Sequence, residues 1–199
     1  MYFHTSASTD VEAVITNAEL AENTGADVSD PLLPGLAIAA TAAAIEFLQF
    51  ELITRERVTT YETWPTAGTN TAPDLSGNNL YLKHLVEVPY AKLTDPVMLT
   101  VEVVGEVTTD YRIIDRLWAS VYFNAPTVSG DLNTAPAIKM TYNAGYGTID
   151  DVPQVIKTAV TMIATYLFDH RGGCSATDAI NQSGANTLLT PYRAKAIII

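Results

Sequence analysis

Residues 138–171 read IKMTYNAGYGTIDDVPQVIKTAVTMIATYLFDHR, and within them the chain passes from one kind of structure to another. Up to Asn143, apolar and polar residues alternate with the period of a half-buried strand. Gly145, Tyr146 and Gly147 then suit a sharp turn, because glycine reaches backbone conformations closed to other residues. Asp150 or Asp151 offers a helix cap, and Pro153 falls in the first turn, where its missing N–H is not needed. Val152, Ile156, Ala159, Ile163, Tyr166 or Leu167, and His170 follow at spacings of three and four, an apolar helical stripe. Acids at the start and His170 with Arg171 at the end suit the helix dipole. Gly172 and Gly173 stop the helix.

Upstream, residues 57–143 keep the strand period. RVTTYETW, YLKHLVEV, VMLTVEVV, LWASVYF and AIKMTYN are the candidate strands. In the second of these, Leu82, Val86 and Val88 share one face and Lys83 and Glu87 the other. Pro89, Pro96, Pro126 and Pro136 separate the runs, and residues 65–79 (PTAGTNTAPDLSGNN) form a polar loop. The first 15 residues show no period and predict a loosely packed start. Thr16 followed by Glu19 is a capping box and Gly25 a stop, which predicts a helix over 17–24. Ser29 or Asp30 and then Pro31 open a second helix that the apolar spacing carries to about residue 54. Its Ala-rich middle (Ala37, Ala39, Ala40, Ala42, Ala43, Ala44) favours helix and permits close approach by a neighbour, inside the subunit or outside it. Beyond Arg171, residues 172–186 read as a polar loop and 187–196 as a short helix bent or delayed by Pro191. The predicted fold class is α+β. A helical bundle core is built from both ends of the chain (1–56 and 144–199), and a mostly antiparallel β subdomain (57–143) is inserted between them.

The 199 residues are enough for one such domain with an insertion. Charged residues are only 17% of the chain, below the ~25% usual in soluble domains, which suits a surface partly covered by partners. A net charge of −11 excludes a basic footprint for gripping nucleic acid. The lone Cys174 predicts no internal disulfide and fits a reducing compartment. MYFHTSASTD lacks the basic and apolar regions of a secretory signal. The longest apolar stretch, Leu32–Ile45, is shorter than a membrane span requires. A soluble protein made in the cytoplasm is expected.

Chemistry-bearing patterns are sparse. His4, His84 and His170 form neither HxH nor HExxH, so no metal ligands are expected. His84 reads as a strand histidine and His170 as a helix-end charge. No GxSxG elbow occurs, and Cys174 lacks the surroundings of a cysteine nucleophile. Asp150 and Asp151 could pair as acid and base, but capping explains them with fewer assumptions. The Gly145–Gly147 turn lacks the lysine and hydroxyl of a phosphate loop. No catalytic, cofactor-binding or metal residue is expected, and the chain does not read as an enzyme. The aromatics of the β part, among them Tyr61, Trp64, Tyr111, Trp118, Tyr122 and Tyr142, suit either a β core or an interface.

Four stretches taken together resemble the tailed-phage head–tail connector family, the gp6-like adaptors, in the longer form with a β insertion. They are TNAELAENTGADVSDPLLPGLAIAATAAAIEFLQFEL (16–52), RVTTYETWP (57–65), the strand–AGYG–acidic link–VP–helix run quoted above, and LLTPYR (188–193). The likeness covers most of the chain in layout and is most specific at the AGYG run and LLTPYR. The chain departs from the family in its long 65–79 loop, its Gly/Ser-rich 172–186 segment and its Ile197–Ile199 ending. The resemblance implies a structural virion protein made in the host bacterial cytoplasm and placed in the neck. Its subunits would form a ring beneath the portal, twelve-fold to match it, and offer a docking surface to the stopper or tail-completion protein. DNA would pass through the lumen without specific binding, and no membrane or cofactor is implied. It further implies that the C-terminal segment engages the portal. The terminal set Leu188, Leu189, Tyr192, Arg193, Ile197, Ile198 and Ile199 is expected to bind a partner, since its apolar members are costly to leave in water. Burying those large apolar side chains would contribute roughly 1.5–3 kcal/mol each. The alternatives are another neck, stopper or tail-completion protein and, from other classes, an enzyme with an unrecognised site or a small-ligand binding module.

Overall fold

The computed structural model describes residues 3–7, 11–62, 85–87, 100–115, 119–123, 138–171 and 173–193. The chain divides into two compact units: Met1–Ser8 with Glu56–Asn143, and Thr9–Arg55 with Ala144–Ile199. The class is α+β, a helical core with an antiparallel β part.

In the helical unit, α1 (Asn17–Thr24) begins at the capping box read from the sequence: Thr16 accepts from the Glu19 amide, and Glu19 accepts from the Thr16 amide at 2.7 Å. Gly25 ends it at φ 69°. The next helix, α2, spans Leu33–Leu48, shorter at both ends than expected. Asp30 accepts from the Leu32 amide in a turn before the helix, and Pro34 rather than Pro31 sits in the first turn. At the other end Gln49 takes a left-handed φ of 62°. Phe50 and Leu52 stay buried, but beyond the helix. The apolar spacing that predicted helix to 54 therefore reports burial and not helicity. Thr41 is buried, donating to the Ala37 carbonyl and accepting from the Val14 amide, so it ties the segment before α1 onto α2.

The central helix α3 (Gln154–Asp169) packs on α1 and α2. It buries Ile156, Ala159, Val160, Ile163 and Ala164. Asp151 does not cap it. Asp151 completes a capping box with Thr148 on a preceding 3-10 turn, Ile149–Asp151, and Pro153 holds the N-cap position without a side-chain bond. The expected loop 172–186 contains α4 (Ala176–Gln182), opened by a Ser175–Asp178 capping box. After Gly184 come α5 (Ala185–Leu189) and a 3-10 turn, Thr190–Tyr192, where Pro191 ends regular α-helix. Both α4 and α5 pack on α3.

In the β unit, the strands are β1 (Phe3–Ala7), β2 (Arg55–Tyr61), β3 (Leu85–Glu87), β4 (Thr100–Val103), β5 (Glu106–Thr108), β6 (Tyr111–Asp115), β7 (Ala119–Phe123) and β8 (Ile138–Ala144). One sheet has the order β1-β2-β8-β4-β5 and the other β3-β7-β6. The opening segment, expected to be loose, supplies an edge strand, with Phe3 opposite Tyr61 and Ala7 opposite Arg57. Along β8 the alternation is strict: Ile138, Met140 and Tyr142 are buried between half-exposed Lys139, Thr141 and Asn143. The Tyr142 and Thr59 hydroxyls meet at 2.8 Å inside the sheet's buried side. Lys139 pairs with Glu102 directly across the strands at 2.9 Å. Two short strands, β5 and β6, went unpredicted. The 65–79 loop and His84 lie outside the described residues.

Candidate assembly surfaces

The motif that decided the sequence reading is fixed by backbone proximity. The Tyr146 amide donates to the Leu52 carbonyl at 3.1 Å, and the Thr54 amide donates to the Gly147 carbonyl at 2.7 Å. Gly145 and Gly147 hold φ 136° and 131°. The GYG turn thus serves the backbone of residues 52–54, and both of its flanking glycines are needed for that.

LLTPYR docks beside it. Leu189 is fully buried, Leu188 half-buried and Tyr192 exposed at 36%. The Arg193 guanidinium lies 4.9 Å above the Phe47 ring, and Phe50 meets Tyr146 edge-on at 5.6 Å. Burial, and then the neighbouring Tyr192, push the Tyr146 phenol up from its ordinary value. Of the seven residues singled out for partner binding, Leu189 is thus already packed in its own subunit, and Leu188, Tyr192 and Arg193 reach the surface. Ile197, Ile198 and Ile199 lie outside the described residues.

A groove of about 600 Å³ runs between the start of α2 and the end of α3, with Leu32, Leu36, Ala39 and Leu167 as its apolar wall. Leu32, at the N-cap of α2, remains 47% exposed, and Ile38 within the helix 43%. His170 and Arg171 form the groove's polar end. The His170 ring stacks on Tyr166 at 3.9 Å, and its Nδ1 donates to the Tyr166 carbonyl. Arg171 lies 3.9 Å over the Phe168 ring while its Nε donates to the Phe168 carbonyl. Both residues cover last-turn carbonyls, the helix-end role read from the sequence. Cys174 is a half-buried free thiol in this groove.

A second groove, about 330 Å³, lies between α1 and α3. Glu19, Glu22 and Asn23 line one side, and Lys157, Thr158 and Met162 the other. The hydrogen bonds from Thr16, with help from Lys157, hold the Glu19 carboxyl below its ordinary value despite some desolvation.

Among the described residues no three His, Cys, Asp or Glu side chains gather as metal ligands, and Asp151 is occupied with Thr148. The sequence flagged α2 as a close-packing helix. It gave no sign that Arg171, some 130 residues away, stands at the end of its exposed face.

The whole architecture has known counterparts. A chain in the virion of a native gene transfer agent particle is similar over 98% of this chain and 97% of that one, with a TM-score of 0.65 at 14% identity. Chains in the neck of the empty particle, computed with C6 symmetry (TM-score 0.67), and in the neck of the native particle, computed with C12 symmetry (0.65), match over the same shares at 16% identity. The fold is shared with these particle chains. No protein-family profile and no curated protein matches the sequence.

Proposed function

We propose that this chain is a structural subunit of the neck of a phage-like particle, an adaptor that closes into a ring under the portal and presents a landing surface to the stopper or tail. The observation that carries the reading is the end-to-end likeness to chains of a particle neck treated with six- and twelve-fold symmetry. The low charge content and the exposed apolar α2 face support it. A ring of identical subunits needs two different, mutually complementary faces on each, and an acidic chain lets DNA pass without sticking. Residues 57–143 supply the inserted β subdomain. The segment from Leu188 onward, including Ile197–Ile199, engages the portal. Among the described residues, no helix is long and apolar enough to cross a membrane.

Sedimentation of the purified protein, alone and mixed with the portal protein of the same particle, tests this. A small free species that joins the portal in fixed stoichiometry is expected. Removing residues 194–199 is expected to abolish that joining while leaving the thermal midpoint of the free protein unchanged. A stable monomer that ignores the portal at near-physiological salt would contradict the adaptor reading.

A further inference from the structure

The two grooves of the helical unit lie on opposite sides of one helix. At 3.6 residues per turn, Gln154, Thr158, Thr161 and Thr165 of the α1–α3 groove share one side of α3. Leu167 continues the opposite side, in line with buried Ile156 and Ile163 and leading to His170 and Arg171. The surfaces oppose each other in charge at one point, Arg171 on one and Glu22 on the other. One is apolar and ends in a guanidinium held in place by Phe168; among the described residues, no carboxylate pairs with it. The other is polar, with Glu22 exposed beside Glu19 on α1 and Lys157 across the groove on α3, and Val155, 41% exposed, stands two turns from Met162 on the same stripe of α3.

Gly35 adds an independent observation. A Cβ at this position would meet nothing within 4 Å, so nothing among the described residues requires glycine there. Glycine inside a helix nevertheless weakens it relative to alanine. A bare backbone on an exposed face that already carries Leu32, Ile38 and Ala39 fits close approach by something outside the subunit.

We propose that neighbouring copies of this chain meet head to tail at these two surfaces, the α1–α3 face of one against the α2–Arg171 groove of the next, with Arg171 facing Glu22. This rests on the ring reading above and names its seam. Such a contact is heterologous, so it propagates from copy to copy until the ring closes. Charge opposition across it fixes the register.

Cys174 supplies the test. Full-length protein carrying Glu22→Cys is oxidised with copper–phenanthroline at high concentration and run on a non-reducing gel. The seam predicts a ladder of dimer, trimer and larger species, which adding Cys174→Ser abolishes. In parallel, Arg171→Glu weakens self-association by about tenfold, and Glu22→Arg in the same chain restores most of it. Circular dichroism confirms that each variant is folded. Rings of unchanged mass and yield in Arg171→Glu, together with dimers alone or no cross-link, overturn the seam and leave the ring standing. No species above monomer, with or without the portal, overturns both.

Discussion

A methyl group at position 145 would stand 2.5 Å from the backbone of Ile53 and Thr54, with φ held at 136°. Gly145→Ala is therefore expected to cost about 2–5 kcal/mol, combining left-handed strain with overpacking, and to lower the thermal midpoint sharply. The turn was legible in the sequence as glycine punctuation. Its cause was not, because the partner lies some 90 residues away. Val104 is the opposite case. It and Gly105 form the two-residue turn between β4 and β5 with φ 52° and 82°. A β-branched residue is strained there, where asparagine is favoured. Val104→Asn is expected to stabilise the protein by about 1 kcal/mol in denaturant titration. Glu51, 1% exposed, binds Arg55 through two bonds of 2.7 and 2.8 Å. Arg55→Met leaves a buried carboxylate without that partner and is expected to cost about 3–5 kcal/mol.

Three elements begin with the same device. Thr16–Glu19, Thr148–Asp151 and Ser175–Asp178 are reciprocal capping boxes. Hydrogen bonds from the cap residues hold all three carboxyls below their ordinary values, the Thr16 amide foremost for Glu19 and the Thr148 and Ser175 hydroxyls foremost for Asp151 and Asp178. A folded-state value lower than the unfolded one gives stability that is present above the unfolded pKa, about 4, and is lost as pH falls through the folded value. Helical signal in circular dichroism melts is therefore expected to weaken from about pH 4 downward. Thr16→Ala is expected to cost about 1 kcal/mol at neutral pH and to reduce that pH dependence. The first box was read from the sequence. The third was hidden by its Gly/Ser-rich setting, although S-x-x-D carries the same chemistry as T-x-x-E. The strands β1, β5 and β6 were missed because three to five residues give too few alternations to establish a period. The long helices α2 and α3 were legible because many turns repeat one stripe, and only their ends were misplaced.

At the scale of the molecule, the sequence order of helix, strand and helix already implied a helical core built from both ends of the chain. The order of the strands in the sheets was not legible, since β8 lies between β2 and β4 through pairings distant in sequence. The candidate surfaces were half legible. LLTPYR and the Ala-rich helix stood out, but which of their side chains remain at the surface is decided by packing: Leu189 goes inside, while Leu32, Ile38 and Tyr192 stay exposed. The proposed neck subunit follows from that surface and the fold. The most direct test is to tag the protein in the particle that encodes it and locate the tag by gold labelling in electron micrographs. The account predicts gold confined to the junction of head and tail. Gold spread over the shell or tail tube, or particles that lack the protein, would contradict it.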